Sequence, residues 1–187
     1  MSKITVEFKE AVLSLPVNNL QDAILKYCRK DQAFYDFINL RYLKNKEAEE
    51  ELFEKTSAFI RNYIYFPGGR GVIQRRLKSG MDKCIKQINH YAIMSANKKR
   101  EADLLLLLID STLEAYTDEL GTCFTTFDSK LALTTKRLLS LVTKKLHPDY
   151  FIEYEDELNR FLRILHARSS HLDIVYHMPQ RAEDVKL

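Results

Sequence analysis

Glycine and proline are scarce in this chain, which has five glycines and four prolines among 187 residues. Average usage would give about thirteen glycines in a chain of this length. Because tight turns depend heavily on these residues, their scarcity argues against a many-stranded β fold and favours long helices. The length suits one domain with a sizeable core. We therefore predict an all-α protein.

Long apolar runs are also missing. The longest, from Leu104 to Ile109, has six residues, whereas a helix needs about twenty to cross a bilayer. No apolar run follows a basic start at the N-terminus, as it would in a secretory signal. Cys28, Cys84 and Cys123 are an odd number without close spacing, unlike a disulfide framework or a zinc site. We expect a cytoplasmic protein with reduced thiols and no membrane partner.

Apolar residues recur at helical spacing along most of the chain, and they define about seven helices joined by short connections. Asn19, Asp31 and Asp128 are candidate N-caps. Because the block 104–109 is apolar on every side, we expect its helix to be central. We predict a single antiparallel helical bundle, or a short irregular helical stack, over residues 1–170. Residues 171–187 are predicted to form a short extended segment and a solvated tail.

The segment 66–78, FPGGRGVIQRRLK, places three glycines beside four basic side chains. Glycine-rich backbone before a helix leaves free N–H groups at the positive end of the helix dipole, which suits an anion. Arginines nearby add guanidinium groups with a forked set of donors. The candidate anion-binding residues are Gly68, Gly69, Arg70, Gly71, Arg75, Arg76 and Lys78.

Neither common nucleotide motif is present in this segment. A P-loop needs two glycines separated by four residues and followed by Lys and Ser or Thr. The dinucleotide fingerprint needs a third glycine where this chain has Gln74. The simpler interpretation, which we prefer, is a turn between two helices, followed by the solvated basic side of an amphipathic helix.

The charge distribution keeps a second interpretation open. The chain has a net charge of +3. Residues 66–86 carry six basic side chains against Asp82 alone, so the rest of the chain is slightly acidic. A local basic surface could bind nucleic-acid backbone or another polyanion. The modest net charge of the whole chain is unlike the strongly basic character of most nucleic-acid-binding domains.

Other patterns that could carry chemistry are incomplete. The predicted central helix has Asp103, Asp110 and Glu114 on one stripe, but no Glu-x-x-His occurs on any helix to complete a bundle metal site. A thiol on the apolar side of a helix, as predicted for Cys84, is inert, whereas Cys123 is expected to be exposed. We predict no metal site, no cofactor and no catalytic residue. The C-terminal histidines, with one neighbouring aspartate, match no zinc spacing: His166, His171, His177 and Asp173.

Three segments, Leu20–Tyr27 (LQDAILKY), Pro67–Gly71 (PGGRG) and Ala102–Leu106 (ADLLL), occur in this order. In order and spacing they resemble an uncharacterised family of small bacterial helical proteins, a domain of unknown function. The resemblance covers roughly residues 13–115. It implies a helical, cytoplasmic, bacterial protein, and it brings no activity, cofactor or catalytic residue.

We therefore favour a non-enzymatic macromolecular interaction module that binds a protein partner or itself. Tyr and Phe total twenty, and aromatic side chains are enriched at interfaces. The alternative is binding of nucleic acid or another polyanion through residues 68–86. A third possibility is a ligand-binding pocket or an enzyme that uses Asp103 or Asp110 between helices.

Overall fold

The computed structural model describes residues 4–65 and 72–185 and, for Tyr65, the backbone alone. These residues form nine α-helices and no strand, which confirms the predicted all-α class. Three short 3₁₀ turns lie between or after the later helices. The α-helices are α1 Val6–Leu13, α2 Val17–Cys28, α3 Gln32–Arg41, α4 Lys46–Tyr65, α5 Ile73–Ser95, α6 Lys98–Tyr116, α7 Thr126–Lys145, α8 Phe151–Ser169 and α9 Asp173–Tyr176.

The chain divides into two compact units, Met1–Lys46 and Glu47–Leu187. In the first unit, α2 and α3 pack against each other through an edge-to-face contact between Tyr27 and Phe34, with ring centroids 4.8 Å apart. Asp31 caps α3 as predicted, because its Oδ1 accepts a hydrogen bond from the Phe34 N–H. The prediction for Asn19 is wrong: α2 already begins after Pro16, and Asn19 lies inside it.

The second unit is built around α6. Leu104, Leu105, Leu108 and Ile109 are fully buried, and α6 packs against α5, α7 and α8. The predicted central position of this helix is confirmed. The helices that surround it contribute one apolar side each, and their largest fully buried aromatic residues are Tyr91, Phe127, Tyr154 and Phe161.

A two-residue connection joins α5 to α6. Ala96 ends α5 in the left-handed conformation, with φ of 61°. Asn97 then caps α6, since its Oδ1 accepts a hydrogen bond from the Arg100 N–H. Asn97 was not among the N-caps that the sequence analysis proposed.

The C-terminal segment differs from the prediction of extended structure and a solvated tail. Residues 173–176 form α9, and a 3₁₀ turn follows at Ala182–Asp184. Val175, Met178 and Ala182 are buried. The Ala182 N–H donates a hydrogen bond of 2.8 Å to Oδ1 of Asn159 on α8. The segment is therefore packed against the helical core as far as Val185, the last described residue.

Candidate interaction surfaces

The predicted anion-binding segment lies only partly within the described residues. Gly68, Gly69, Arg70 and Gly71 fall outside them. The remaining three candidates, Arg75, Arg76 and Lys78, lie on the first two turns of α5. Their surroundings show how much of the predicted basic surface is exposed to a ligand.

Lys78 is engaged in a local ion pair. Its Nζ lies 2.7 Å from Asp82 Oδ2, and Lys130 of α7 lies 2.6 Å from the other oxygen of the same carboxylate. Burial would raise the pKa of Asp82, but the hydrogen bonds from Lys130 and Lys78 outweigh it and lower the pKa. Asp82 therefore balances only one of the two lysine charges, and Lys78 shares this carboxylate with Lys130.

Arg76 is half-buried, and its Nε atom is buried. It lies near Tyr116, whose hydroxyl donates a hydrogen bond of 2.9 Å to the carbonyl of Ile64. Burial raises the pKa of Tyr116, and the positive charge of Arg76 opposes that rise. Arg75, in contrast, is exposed and forms no ion pair with another described residue. The three candidates therefore present one fully available guanidinium, with Lys83 and Lys86 exposed further along α5.

Gln74 is a buried polar residue that the sequence analysis did not identify. Its Nε2 donates hydrogen bonds to Glu119 Oε2 at 3.1 Å and to Thr122 Oγ1 at 3.4 Å. These bonds fix the start of α5 to the connection between α6 and α7. No local pattern signals this role, because both partners lie more than forty residues away in sequence.

The carboxylates of α6 are used in contacts between helices. Asp103 accepts a hydrogen bond of 2.5 Å from the Tyr154 hydroxyl. Burial and this bond to the carboxylate raise the pKa of Tyr154. Asp110 pairs with Arg160 of α8, and Glu114 is exposed. Among the described residues, no group of three or more His, Cys, Asp or Glu side chains could hold a metal ion.

Cys84 and Cys123 lie where the sequence analysis placed them, and the C-terminal histidines occupy different surroundings. His166 is half-buried, with Nε2 3.1 Å from the Pro179 carbonyl, and His171 and His177 are exposed. Cys84 is buried, and burial raises the pKa of its thiol to about 12. Cys123 is exposed.

Most of the exposed large apolar residues lie in the first unit. Of the nineteen large hydrophobic residues that are exposed among those described, twelve lie between positions 4 and 43. Leu40 is the one buried hydrophobic residue in the same described stretch. We name these twelve the N-terminal apolar surface: Ile4, Val6, Phe8, Leu13, Leu15, Val17, Ile24, Leu25, Tyr27, Tyr35, Tyr42 and Leu43.

Helix α2 shows how this surface arises. Val17, Leu20, Ile24 and Tyr27 recur at helical spacing and share one side of the helix. Such a stripe normally faces a core, yet Val17 and Tyr27 are more than half exposed. The sequence analysis placed the helices of this unit in one bundle or stack over residues 1–170 and did not identify this exposed surface.

Comparison of the chain with known protein families, curated proteins and solved structures found no match. The resemblance to a bacterial helical family therefore stays a prediction. None of the described helices combines the length and the apolar character needed to cross a membrane.

Proposed function

We propose that this chain is a non-enzymatic interaction module that self-associates through the N-terminal apolar surface. The observation that carries the proposal is the exposure of this surface, whose members range from 41% exposed for Ile24 to 74% for Ile4. A helix with an apolar stripe gains stability mainly by burying that stripe. Here the stripe of α2 lies open.

The exposed area is large enough to form an interface. With about 150 Å² for each large side chain, the exposed fractions of the twelve residues add up to on the order of 1,000 Å². The largest apolar patch on a typical monomer is roughly 300–600 Å². A standard protein interface takes about 800 Å² from each partner. The summed exposed area of these residues is therefore comparable with one side of a standard interface.

Charge favours a second copy of the chain as the partner. Residues 4–46 carry seven basic and five acidic side chains, so two copies of this unit repel each other little. The charges of both signs are interleaved along α1 to α3, which allows pairing around an apolar centre. A strongly acidic or basic partner would find no matching excess of charge here.

Sedimentation equilibrium of the full chain tests the proposal. The wild type is expected to show a mass that rises with concentration to that of a dimer or larger assembly. Ile24→Glu places a charge inside the proposed interface, so this variant is expected to stay monomeric. Ile152→Glu is the matched control, because Ile152 is 78% exposed on α8, outside this surface. A wild-type monomer at about 100 µM, or equal effects of both substitutions, would contradict the proposal.

A second candidate function is binding of nucleic acid or another polyanion through α5. It is supported by the exposure of Arg75, Lys83 and Lys86, and weakened by the ion pair of Lys78 and the partial burial of Arg76. Such binding should weaken steeply with added salt, because each neutralised phosphate releases counterions. A labelled single-stranded oligonucleotide that shows no salt-sensitive retardation at low ionic strength would exclude it.

We also propose a cytoplasmic location. The three thiols are free, which suits a reducing compartment. A fusion to a fluorescent protein that locates outside the cytoplasm would contradict this.

A further inference from the structure

A cavity of about 630 Å³ lies between α8 and the C-terminal segment. Helix α8 contributes its lining from Asp156 to Arg163, and the segment after α9 contributes Gln180 and Arg181. A second cleft of about 360 Å³ continues along α8 to Arg168. Arg160 and Arg163 line both. We name the two together the α8 groove.

The outer wall of the α8 groove is held in place by hydrogen bonds and by two buried side chains. Asn159 Oδ1 accepts the hydrogen bond from the Ala182 N–H, and His166 Nε2 lies 3.1 Å from the Pro179 carbonyl. Met178 and Ala182, on either side of Gln180 and Arg181, are buried. A wall fixed in this way is formed before a ligand arrives, so binding costs little ordering of the protein.

Arg160 is part of the framework of the groove. Its Nε lies 2.7 Å from Glu157 Oε2, and its Nη2 pairs with both Glu157 and Asp110. Burial lowers the pKa of Arg160, but these two carboxylates outweigh it and raise the pKa. One guanidinium and two carboxylates in contact sum to a net charge of −1, so an anionic ligand gains no attraction from Arg160 and must be held by the other arginines.

The other arginines of the α8 groove form only long hydrogen bonds or ion pairs within the described part of the protein. Arg163 uses its Nε in a hydrogen bond of 3.3 Å to the Asn159 carbonyl, and forms no ion pair with another described residue. Arg181 and Arg168 make loose, exposed pairs, at 3.4 Å from Glu183 and 3.6 Å from Asp118. An oxyanion that accepts two parallel hydrogen bonds would be a better partner for each guanidinium.

The spacing of these arginines suits a ligand with more than one anionic group. Arg163 and Arg168 are about 7.5 Å apart along the helix axis and both line the second cleft, whereas Arg181 lines the first cavity. Asp156 lies about 10 Å along the axis from Arg163 in the other direction. Its exposed carboxylate disfavours an anion at that end, so the anionic groups belong beside Arg163.

We propose that the α8 groove binds a small molecule that carries at least two oxyanion groups, phosphate or carboxylate, held by Arg163 and Arg181 with Arg168 at the far end. The volumes of the two clefts lie within the range of small-ligand pockets, which is about 300–1,000 Å³. This site is separate from the N-terminal apolar surface, and it does not depend on self-association.

Isothermal titration calorimetry of the full chain at low ionic strength tests the proposal with two probes, tripolyphosphate and citrate. At least one probe is expected to bind, and the tighter of the two identifies phosphate or carboxylate as the preferred group. Arg163→Gln removes charge-assisted hydrogen bonds and is expected to weaken binding by at least about tenfold. Arg181→Gln is expected to weaken it in the same direction.

Arg75→Gln is the matched control, because it removes one exposed guanidinium from α5, the other candidate anion surface. Binding that persists in this variant and falls in Arg163→Gln supports the α8 groove. Equal losses in the two variants would show unspecific attraction to positive charge and would overturn the proposal. So would the loss of binding in Arg75→Gln alone, or the absence of heat with both probes up to about 10 mM.

Discussion

The hydroxyl of Ser169 donates a hydrogen bond of 2.6 Å to Oδ2 of Asp128, and both side chains are fully buried. The same carboxylate oxygen accepts a bond of 2.8 Å from the Gly121 N–H. The sequence analysis took Asp128 for an N-cap, but α7 begins at Thr126, and Asp128 lies inside its first turn. Its role is to join the connection before α7 to the end of α8.

We expect Asp128→Ala to lower the free energy of unfolding by about 2–3 kcal/mol, because the buried Ser169 hydroxyl and the Gly121 N–H lose their acceptor. Ser169→Ala removes one donor, so its expected cost is smaller, about 1 kcal/mol. Urea denaturation followed by circular dichroism measures both. Asp156→Asn, at an exposed position, is the control and should change stability by less than about 0.5 kcal/mol. Equal effects of the three substitutions would contradict this account.

Replacement of two glycines by alanine is expected to have opposite effects. Gly121 has φ of 76°, and an added Cβ would lie 2.5 Å from the Arg168 carbonyl oxygen. Left-handed backbone costs other residues roughly 1–2 kcal/mol, so with the steric clash Gly121→Ala should lose at least about 2 kcal/mol.

Gly80 lies within α5, where an added Cβ would meet Tyr63 Cδ1 at an ordinary 3.7 Å. Because glycine weakens a helix interior, Gly80→Ala should gain about 0.5–1 kcal/mol. Thermal denaturation of the two variants and of the wild type measures whether each substitution lowers or raises the stability. A lower melting temperature for Gly80→Ala would show that the space beside Tyr63 is tighter than the structure indicates.

Glu101 is a buried carboxylate that forms ion pairs with Lys98 and Arg137. The nitrogen-to-oxygen distance is 2.7 Å in both pairs. Burial would raise the pKa of Glu101, but the hydrogen bonds from these two residues outweigh it and lower the pKa. A carboxyl with a lowered pKa adds stability above its unfolded pKa, and this contribution is lost as the pH falls through the folded value.

Arg137→Ala is therefore expected to cost about 1–3 kcal/mol near pH 7, reduced by the partial exposure of Arg137. The difference from the wild type should shrink as the pH falls below about 4, where the unfolded carboxyl is protonated. Urea midpoints at pH 7 and pH 3.5 measure it, with exposed Lys136→Ala as the neighbouring control. A cost that does not change with pH would assign the effect to packing instead of charge.

Stability is expected to fall above about pH 9. Burial raises the pKa of Cys84 to about 12 and also raises that of Tyr91. Between its unfolded and folded pKa, such a group ionises in the unfolded chain and not in the native one, so the native state loses about 1.4 kcal/mol per pH unit for each group. Chemical denaturation at pH 8 and pH 10.5 measures the drop, and Cys84→Ala should reduce it.

Thiol reactivity provides an independent readout of the same feature. In the folded chain at pH 8, Cys123 is exposed and should react rapidly with a disulfide reagent, whereas Cys84 should react only after addition of denaturant. Rapid native reaction of Cys84 would contradict its burial.

The helices around α6 could be predicted because each carries one apolar side, and this pattern is local in sequence. The position of Leu104 to Ile109 at the centre follows from the same reasoning. Asp128 was misassigned for the opposite reason: a polar residue ahead of an apolar pattern is typical of a cap, and its partner Ser169 is 41 residues away.

The C-terminal segment was missed because it is too short to show a period. Val175, Met178 and Ala182 are buried by contacts with the preceding helices, and nothing in residues 171–187 alone signals them. The apolar residues of α1 to α3 illustrate the converse. Their spacing predicts helices correctly, but whether a stripe faces a core or remains exposed depends on the rest of the molecule.

The short connections of the second unit bear on how fast it folds. Helices α5 to α8 each pack against the next helix along the chain, so many of the pairings that build this unit close short loops, beginning with the two-residue link at Ala96. Domains dominated by such local pairings reach the native state within about microseconds to milliseconds. Stopped-flow refolding of this unit should therefore be largely complete within the first few milliseconds.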